Sequence, residues 1–197
     1  MKRIMLLLAA PLALAGCETP APMGPEPMAA VDLNNPLFAP AYMANAASGD
    51  LLEIQSSQLA LQMSQNPAVR GFANMLIAHH SQMSQTMAAA AQAARLMPPP
   101  PALLPPHQAM LDQLRAAGSG AAFDLAFKQM QVAAHQQALM LHQNYAASGD
   151  HPALRPVAAQ AVPTIQMHLQ QAQALNVSPP PPPYPPATTG TRAGERG

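Results

Sequence analysis

The sequence predicts an all-α protein, a four-helix bundle of two helical hairpins with a proline-rich connector and a short extra helix between them. Hydrophobic residues make up 49% of the chain but aromatic residues only 4%. A core rich in Ala and Met suits close-packed helices better than sheets. A motif also repeats, because Asn66-Pro67-Ala68-Val69-Arg70 and His151-Pro152-Ala153-Leu154-Arg155 each follow a long stretch of helical composition. Two copies indicate two related hairpins rather than a solenoid.

Residues 1–16 have the pattern of a lipoprotein signal peptide and are excluded from the fold. Their apolar run, Ile4 to Leu14, is too short to span a bilayer, for which about 20 residues are needed. The sequence Leu14-Ala15-Gly16-Cys17 has the form of a bacterial lipoprotein processing box, and Cys17 is the only cysteine in the chain. The pattern predicts lipidation of Cys17 and a stable membrane anchor. The alternative is an ordinary secretory leader with an incidental cysteine.

Proline-rich segments flank the predicted domain. Residues 17–40 contain six prolines and are expected to form an extended tether. Residues 178–197 are expected to form a disordered proline-rich tail. The bundle domain is therefore predicted between residues 41 and 177.

The first hairpin is predicted from two stretches of helical composition that are separated by Pro67. Residues 41–65 are predicted to form one helix through Ser48-Gly49-Asp50, and the alternative is a short helix to Ala47 followed by a newly capped one. Asn66 can cap a second helix that begins at Pro67 and runs to about Met97. Its apolar stripe has helical spacing and includes His80, with Val69, Phe72, Ala73, Leu76, Met83, Met87, Ala90 and Ala94.

Prolines end this helix and open a connector that contains a short predicted helix, residues 107–117. The connector is long enough either to cross the bundle lengthwise or to fold back locally. A third long helix is predicted at 121–147 and a fourth at 152–176, with Pro163 expected to kink the fourth.

Four ionisable residues lie at matching depths in the two hairpins. Glu53 and His80 lie fourteen and thirteen residues from Pro67, and His135 and His168 lie seventeen and sixteen residues from Pro152. At a rise of about 1.5 Å per residue, all four fall near the middle of the long helices. One carboxylate and three imidazoles there would suit Zn, Fe, Ni or Cu. The alternative is a bundle whose histidines bind no ion.

Further ligand candidates are weaker. Asp124 and His142 share a polar seam with His135, but Asp124 is about 16 Å from His135 along the helix. His79 lies beside His80 at the edge of the apolar stripe. Methionines near the histidines could bind Cu(I), although methionine in an alanine-rich stripe more often fills gaps.

Several functions have no support in the sequence. A ferritin-type di-iron centre needs Glu-x-x-His pairs, and the chain contains none. Glu53 is the only glutamate between Glu26 and Glu195, so a metal-dependent oxidase ranks lowest. No nucleophile motif, phosphate-binding loop or paired carboxylates indicate an enzyme. The nine basic and nine acidic residues show no basic stripe, which argues against nucleic acid as a partner.

The succession of motifs resembles the bacterial domain-of-unknown-function family DUF4142 from about Pro36 to Leu175. The residues that carry this resemblance are Ser48 to Glu53, Asn66 to Ala73, His80, Phe123-Asp124, His135, Val162-Pro163 and Met167-His168-Leu169. The resemblance implies a ferritin-like bundle in an outer-membrane or exported protein. It also implies that Glu53, His80, Asp124, His135 and His168 occupy characteristic positions of the family. Where the family usually has an acidic residue before the histidine of the second helix, this chain has His79.

Two functional hypotheses follow. The first is a non-enzymatic envelope lipoprotein that binds another envelope component or serves in stress resistance. By resemblance to bacterial lipoproteins, Glu18 after the cysteine favours the outer membrane, with the protein facing the periplasm. The second hypothesis is a bundle that binds or stores a transition metal through its histidines and Glu53.

Overall fold

The computed structural model describes residues 34–177, and within them the chain is all-α, as predicted. Five helices follow one another without a strand in this range: α1 (Ala39–Met63), α2 (Pro67–Ala93), α3 (Pro105–Ala116), α4 (Ala121–Ser148) and α5 (Arg155–Ala174). None of these helices is long and apolar enough to cross a membrane. The predicted signal peptide, Cys17, most of the tether and the tail lie outside the described residues.

The long helices pack as two hairpins, α1 with α2 and α4 with α5, and the hairpins meet through the pairs α1–α4 and α2–α5. Backbone hydrogen bonds join the ends of α1 and α4. Gly120 N–H donates to Met63 O at the end of α1, and Asp150 N–H donates to Leu37 O before its start. The helices α1 and α4 are therefore antiparallel, so the connector crosses the bundle lengthwise. It carries α3, which packs on α1 and α4.

The repeated arginine closes each hairpin. The guanidinium of Arg70 donates to the carbonyl oxygens of Leu61 and Ser64 at the end of α1, and that of Arg155 donates to Gly149 O after α4. Each arginine thus binds carbonyl groups at a helix C-terminus, which lack partners within the helix and attract cations.

The helix α1 is continuous through Ser48-Gly49-Asp50, as predicted, which excludes the alternative break after Ala47. Two predicted boundaries need correction. The helix α2 ends at Ala93 instead of Met97, because Arg95 has a positive φ of 58° just before the prolines. The helix α5 begins at Arg155, three residues after Pro152, with Pro156 in its first turn. It continues through Pro163.

A polar layer crosses the bundle between two apolar clusters. One cluster surrounds Phe72, Phe123 and Phe127, and the other surrounds Tyr42 and Tyr145. The buried polar residues between them come from four helices and comprise Asp50, Glu53, His80, His135, His142 and His168. Buried polar groups need hydrogen bonds or a ligand. This layer is therefore the candidate site for a bound ligand.

Candidate metal centre

Three helices each place one histidine at the middle of the bundle. His80 on α2 follows the core residues Ala73 and Leu76, and His168 on α5 lies one turn from Ile165 and one from Ala172. This spacing puts each imidazole on the buried stripe of its helix. His80, His135 and His168 are 3%, 1% and 0% exposed.

The three imidazoles face one another. Their ring centroids lie 5.6 Å apart for His80 and His135, 5.2 Å for His80 and His168, and 5.3 Å for His135 and His168. One nitrogen of each ring lies within 4.8 Å of the other two. Three atoms that are at most 4.8 Å apart fit around a point no more than about 2.8 Å from each, and a zinc–nitrogen bond is about 2.0–2.1 Å. Small side-chain rotations would close the difference.

Each of the three rings has one nitrogen without a hydrogen-bond partner. His80 Nε2, His135 Nε2 and His168 Nδ1 are buried and unpaired. The other nitrogen of each ring is engaged. His80 Nδ1 lies 2.8 Å from Asp50 Oδ1, and His135 Nδ1 lies 2.8 Å from the carbonyl oxygen of Gln131. His168 Nε2 lies 2.8 Å from His79 Nδ1.

One free and one hydrogen-bonded nitrogen in each ring is the arrangement of metal-binding histidines. In such histidines the nitrogen opposite the ligand atom is normally held by an acceptor, which fixes the tautomer. Asp50 is fixed in turn, because its Oδ2 accepts a hydrogen bond of 2.9 Å from Ser84 Oγ. The residues present therefore fit a transition-metal ion held by three imidazoles.

Electrostatics keep one of the three rings neutral. Burial, followed by the nearby charges of His80, His135 and His79, lowers the pKa of His168 to about 2. Burial alone would lower the pKa of His80, but the hydrogen bond to Asp50 and the charges of Glu53 and Asp50 raise it above its usual range. His168 thus offers a free lone pair, while a metal ion would compete with a proton at His80.

Glu53 lies beside the three histidines and is not a member of their group. Its Oε1 is 3.6 Å from Nδ1 of His135, the nitrogen that also faces the Gln131 carbonyl. Its Oε2 is buried and has no hydrogen-bond partner. The carboxylate therefore borders the centre from the α1 side.

The weaker candidates occupy three different positions. His79 contacts the centre directly, because its ring stacks on His168 with centroids 5.1 Å apart. His142 lies in the polar layer, and its Nδ1 is 3.0 Å from the hydroxyl oxygen of Tyr42. Asp124 is buried in the first turn of α4 with its Oδ1 unpaired, and it is not part of the histidine group.

Sequence reasoning missed Asp50. The residue precedes Glu53 by three positions on α1 and therefore faces the same side of that helix. It was considered as a possible helix cap and as part of the motif that resembles the family, but not as a partner of a histidine. The spacing to Glu53 was the signal that could have identified it.

Residues 24–175 match the profile of the family described as a domain of unknown function, DUF4142, and the chain belongs to this family. The resemblance seen in the sequence is thereby confirmed. No match was found among curated proteins.

Two solved structures share the fold. The structure described as CopM in the Cu(II)-bound form has 19% sequence identity and a TM-score of 0.58, over 70% of this chain and 94% of that one. The structure described as CopM in the Ag-bound form, obtained by co-crystallization, has 19% identity and a TM-score of 0.56, over 70% and 93%. At this identity the similarity concerns the fold alone.

Proposed function

We propose that this DUF4142 protein binds one transition-metal ion through His80 Nε2, His135 Nε2 and His168 Nδ1, and that it does so in the cell envelope. One observation carries the proposal: three buried histidines each bring one ring nitrogen within 4.8 Å of the other two, and each ring has one nitrogen without a partner while its opposite nitrogen is held. A core without an ion leaves these nitrogens unsatisfied, which costs roughly 1–3 kcal/mol for each group.

The ligand set selects a class of metal ion. Neutral imidazole is a borderline donor that suits Zn, Cu, Ni and Fe, whereas Mg and Ca prefer oxygen. The likeness in fold to CopM structures described as Cu(II)-bound and Ag-bound makes copper the first ion to test. The bundle supplies the held rings, and an ion would satisfy the three nitrogens.

The proposal of an envelope location rests on the first residues of the chain. The Leu14-Ala15-Gly16-Cys17 box would direct lipidation of Cys17, and the tether up to about residue 38 would hold the helical domain away from the membrane. Metabolic labelling with a fatty acid tests this part. Wild type should carry the label, a Cys17→Ala variant should not, and equal labelling of both would contradict lipidation at this residue.

Elemental analysis tests the metal proposal. Purified full-length protein is stripped with a chelator, incubated with Cu²⁺, Zn²⁺ or Ni²⁺ one at a time, and desalted. We expect close to one ion per chain for at least one metal. The variants His80→Ala, His135→Ala and His168→Ala should each lose it.

The matched control is His151→Ala, which removes a histidine outside the centre. Circular dichroism verifies that every variant is helical. Failure of the wild type to retain any ion, or equal retention in the three histidine variants, would overturn the proposal.

A further inference from the structure

A cavity of about 280 Å³ adjoins two of the three histidines on the side of α1 and α4. His80, His135, Asp50 and Glu53 line it, whereas His168 does not. A water molecule occupies about 30 Å³ in the liquid, so the cavity is large enough for a small organic molecule. The exposed residue Gln137 also lines it, which gives the cavity a route to solvent.

One side chain that lines the cavity carries an unused hydrogen-bond acceptor. Glu53 Oε2 is buried, lacks a partner and belongs to a side chain that lines the cavity. A buried carboxylate oxygen without a donor is unfavourable. A molecule in the cavity that carries an N–H or O–H group would satisfy it.

The charge of the lining selects a neutral occupant. Asp50 and Glu53 contribute carboxylates, and among residues 34–177 no lysine or arginine lines the cavity. Two carboxylates balance a divalent ion on neutral imidazoles, so an added anion would leave a buried negative charge without a counter-ion. A neutral donor molecule adds no charge.

We infer that the cavity binds a small neutral molecule with a nitrogen or oxygen donor and an N–H or O–H group. Its donor atom completes the coordination of the ion that the three histidines hold, and its hydrogen is donated to Glu53 Oε2. This inference rests on the proposed metal binding. Three protein ligands leave room for an exogenous fourth, as in open metal sites.

Cobalt(II) makes the occupant visible, because its absorption spectrum changes with the ligands. Full-length protein loaded with one equivalent of Co²⁺ is titrated with imidazole, a neutral donor with an N–H group, and separately with azide, an anion. We expect imidazole to change the spectrum saturably. Azide should bind at least about tenfold more weakly than imidazole. Cobalt content after desalting shows that imidazole has not removed the ion.

Three variants locate the binding. Ala138→Leu places a larger side chain at a half-buried position that lines the cavity, and it should prevent imidazole binding while cobalt is retained. The control Ala133→Leu lies on the same helix, is also half-buried and faces a different groove, so it should behave as wild type. Glu53→Gln should weaken imidazole binding by about tenfold, because a neutral amide oxygen accepts a weaker hydrogen bond than a charged carboxylate does.

The outcomes separate the two proposals. Retained cobalt with a spectrum that imidazole does not change overturns the inference and leaves the metal site standing. Azide binding as tightly as imidazole, removal of cobalt by imidazole, or unchanged binding in Ala138→Leu also overturns it. Failure to retain cobalt, or any other ion, overturns both.

Discussion

Asp50 and His80 form a buried pair in which Oδ1 of the carboxylate lies 2.8 Å from Nδ1 of the imidazole, with side-chain exposures of 8% and 3%. The pair links α1 to α2 in the polar layer. It also determines which nitrogen of His80 is free, because a proton held between Nδ1 and the carboxylate leaves the lone pair on Nε2.

Replacing Asp50 by Asn should therefore weaken metal binding without removing a ligand. We expect the affinity of the centre to fall by about 10–100-fold, the usual effect of losing a partner of a metal-binding histidine. Competition with a chromophoric chelator measures the change. Asp112→Asn is the control, since that carboxylate is exposed and pairs only within α3. An affinity within twofold of wild type would show that Asp50 does not orient His80.

The positions of the three histidines could be predicted from the sequence because two regularities agree. Helical periodicity puts His80 and His168 on the buried stripes of their helices, and similar distances from Pro67 and Pro152 put the histidines at one level. His168 lies at the level of the other two histidines although α5 begins three residues later than predicted. The depth of a residue in a bundle depends on the helix rise summed over many residues, so a shifted helix start changes it little.

Other features depend on choices that a sequence leaves open. Whether Glu53 joins the histidines depends on how α1 is rotated about its axis and on the side-chain rotamer. In the structure Oε1 lies 3.6 Å from Nδ1 of His135, and the residue is not a member of the histidine group. The segment Ser48-Gly49-Asp50 is compatible both with a helix cap and with the interior of a helix. Tertiary packing, which overrides local propensity, places it in the interior. The lengthwise connector is set by hydrogen bonds between residues far apart in the chain, such as Gly120 and Met63.

His79 should act as an acceptor for His168. Once Nδ1 of His168 binds an ion, its proton must be on Nε2, which is 2.8 Å from Nδ1 of His79. His79→Leu removes that acceptor and should weaken metal affinity by about tenfold or more. His79→Gln offers an amide oxygen in its place and should lose less.

Metal competition titrations compare these two variants with Gln85→Leu, which adds a leucine at an exposed position of the same helix. Equal affinities for His79→Leu and Gln85→Leu would contradict a role for His79 in the centre.

Gly149 should tolerate no larger residue. A Cβ atom there would lie 2.6 Å from ring atoms of Tyr145, and that ring cannot move freely. It stacks on Tyr42 with centroids 3.7 Å apart, and its hydroxyl donates to Asp150 Oδ1. Gly149→Ala should therefore lower the free energy of unfolding by about 1–3 kcal/mol, as overpacking does.

Gly71 provides the opposite case within the same chain. It is an exposed residue of α2, and a Cβ there would meet nothing within 4 Å. Gly71→Ala should raise the free energy of unfolding by about 0.5–1 kcal/mol, because alanine favours the helix. Urea denaturation of both variants measures the two effects, and a destabilised Gly71→Ala or an unaffected Gly149→Ala would contradict the packing described.

His142 should make the stability of the metal-free protein depend on pH. Burial lowers the pKa of His142 from 6.5 to about 4, with a smaller opposing effect of Asp50. Between these values the unfolded chain binds the proton and the folded chain does not, so stability falls as the pH falls from 6.5 to 4. The shift corresponds to up to about 3 kcal/mol, and the contribution is fully present above pH 6.5.

Urea denaturation at a series of pH values, with a chelator present, compares wild type with His142→Gln. The amide keeps a polar partner for Tyr42, whose hydroxyl lies 3.0 Å from His142 Nδ1, but it does not titrate. The free energy of unfolding of wild type minus that of the variant should therefore rise from pH 4 to 6.5 and then stay level. A difference independent of pH would show that the folded protein and the unfolded chain protonate His142 alike, contrary to its burial beside Tyr42.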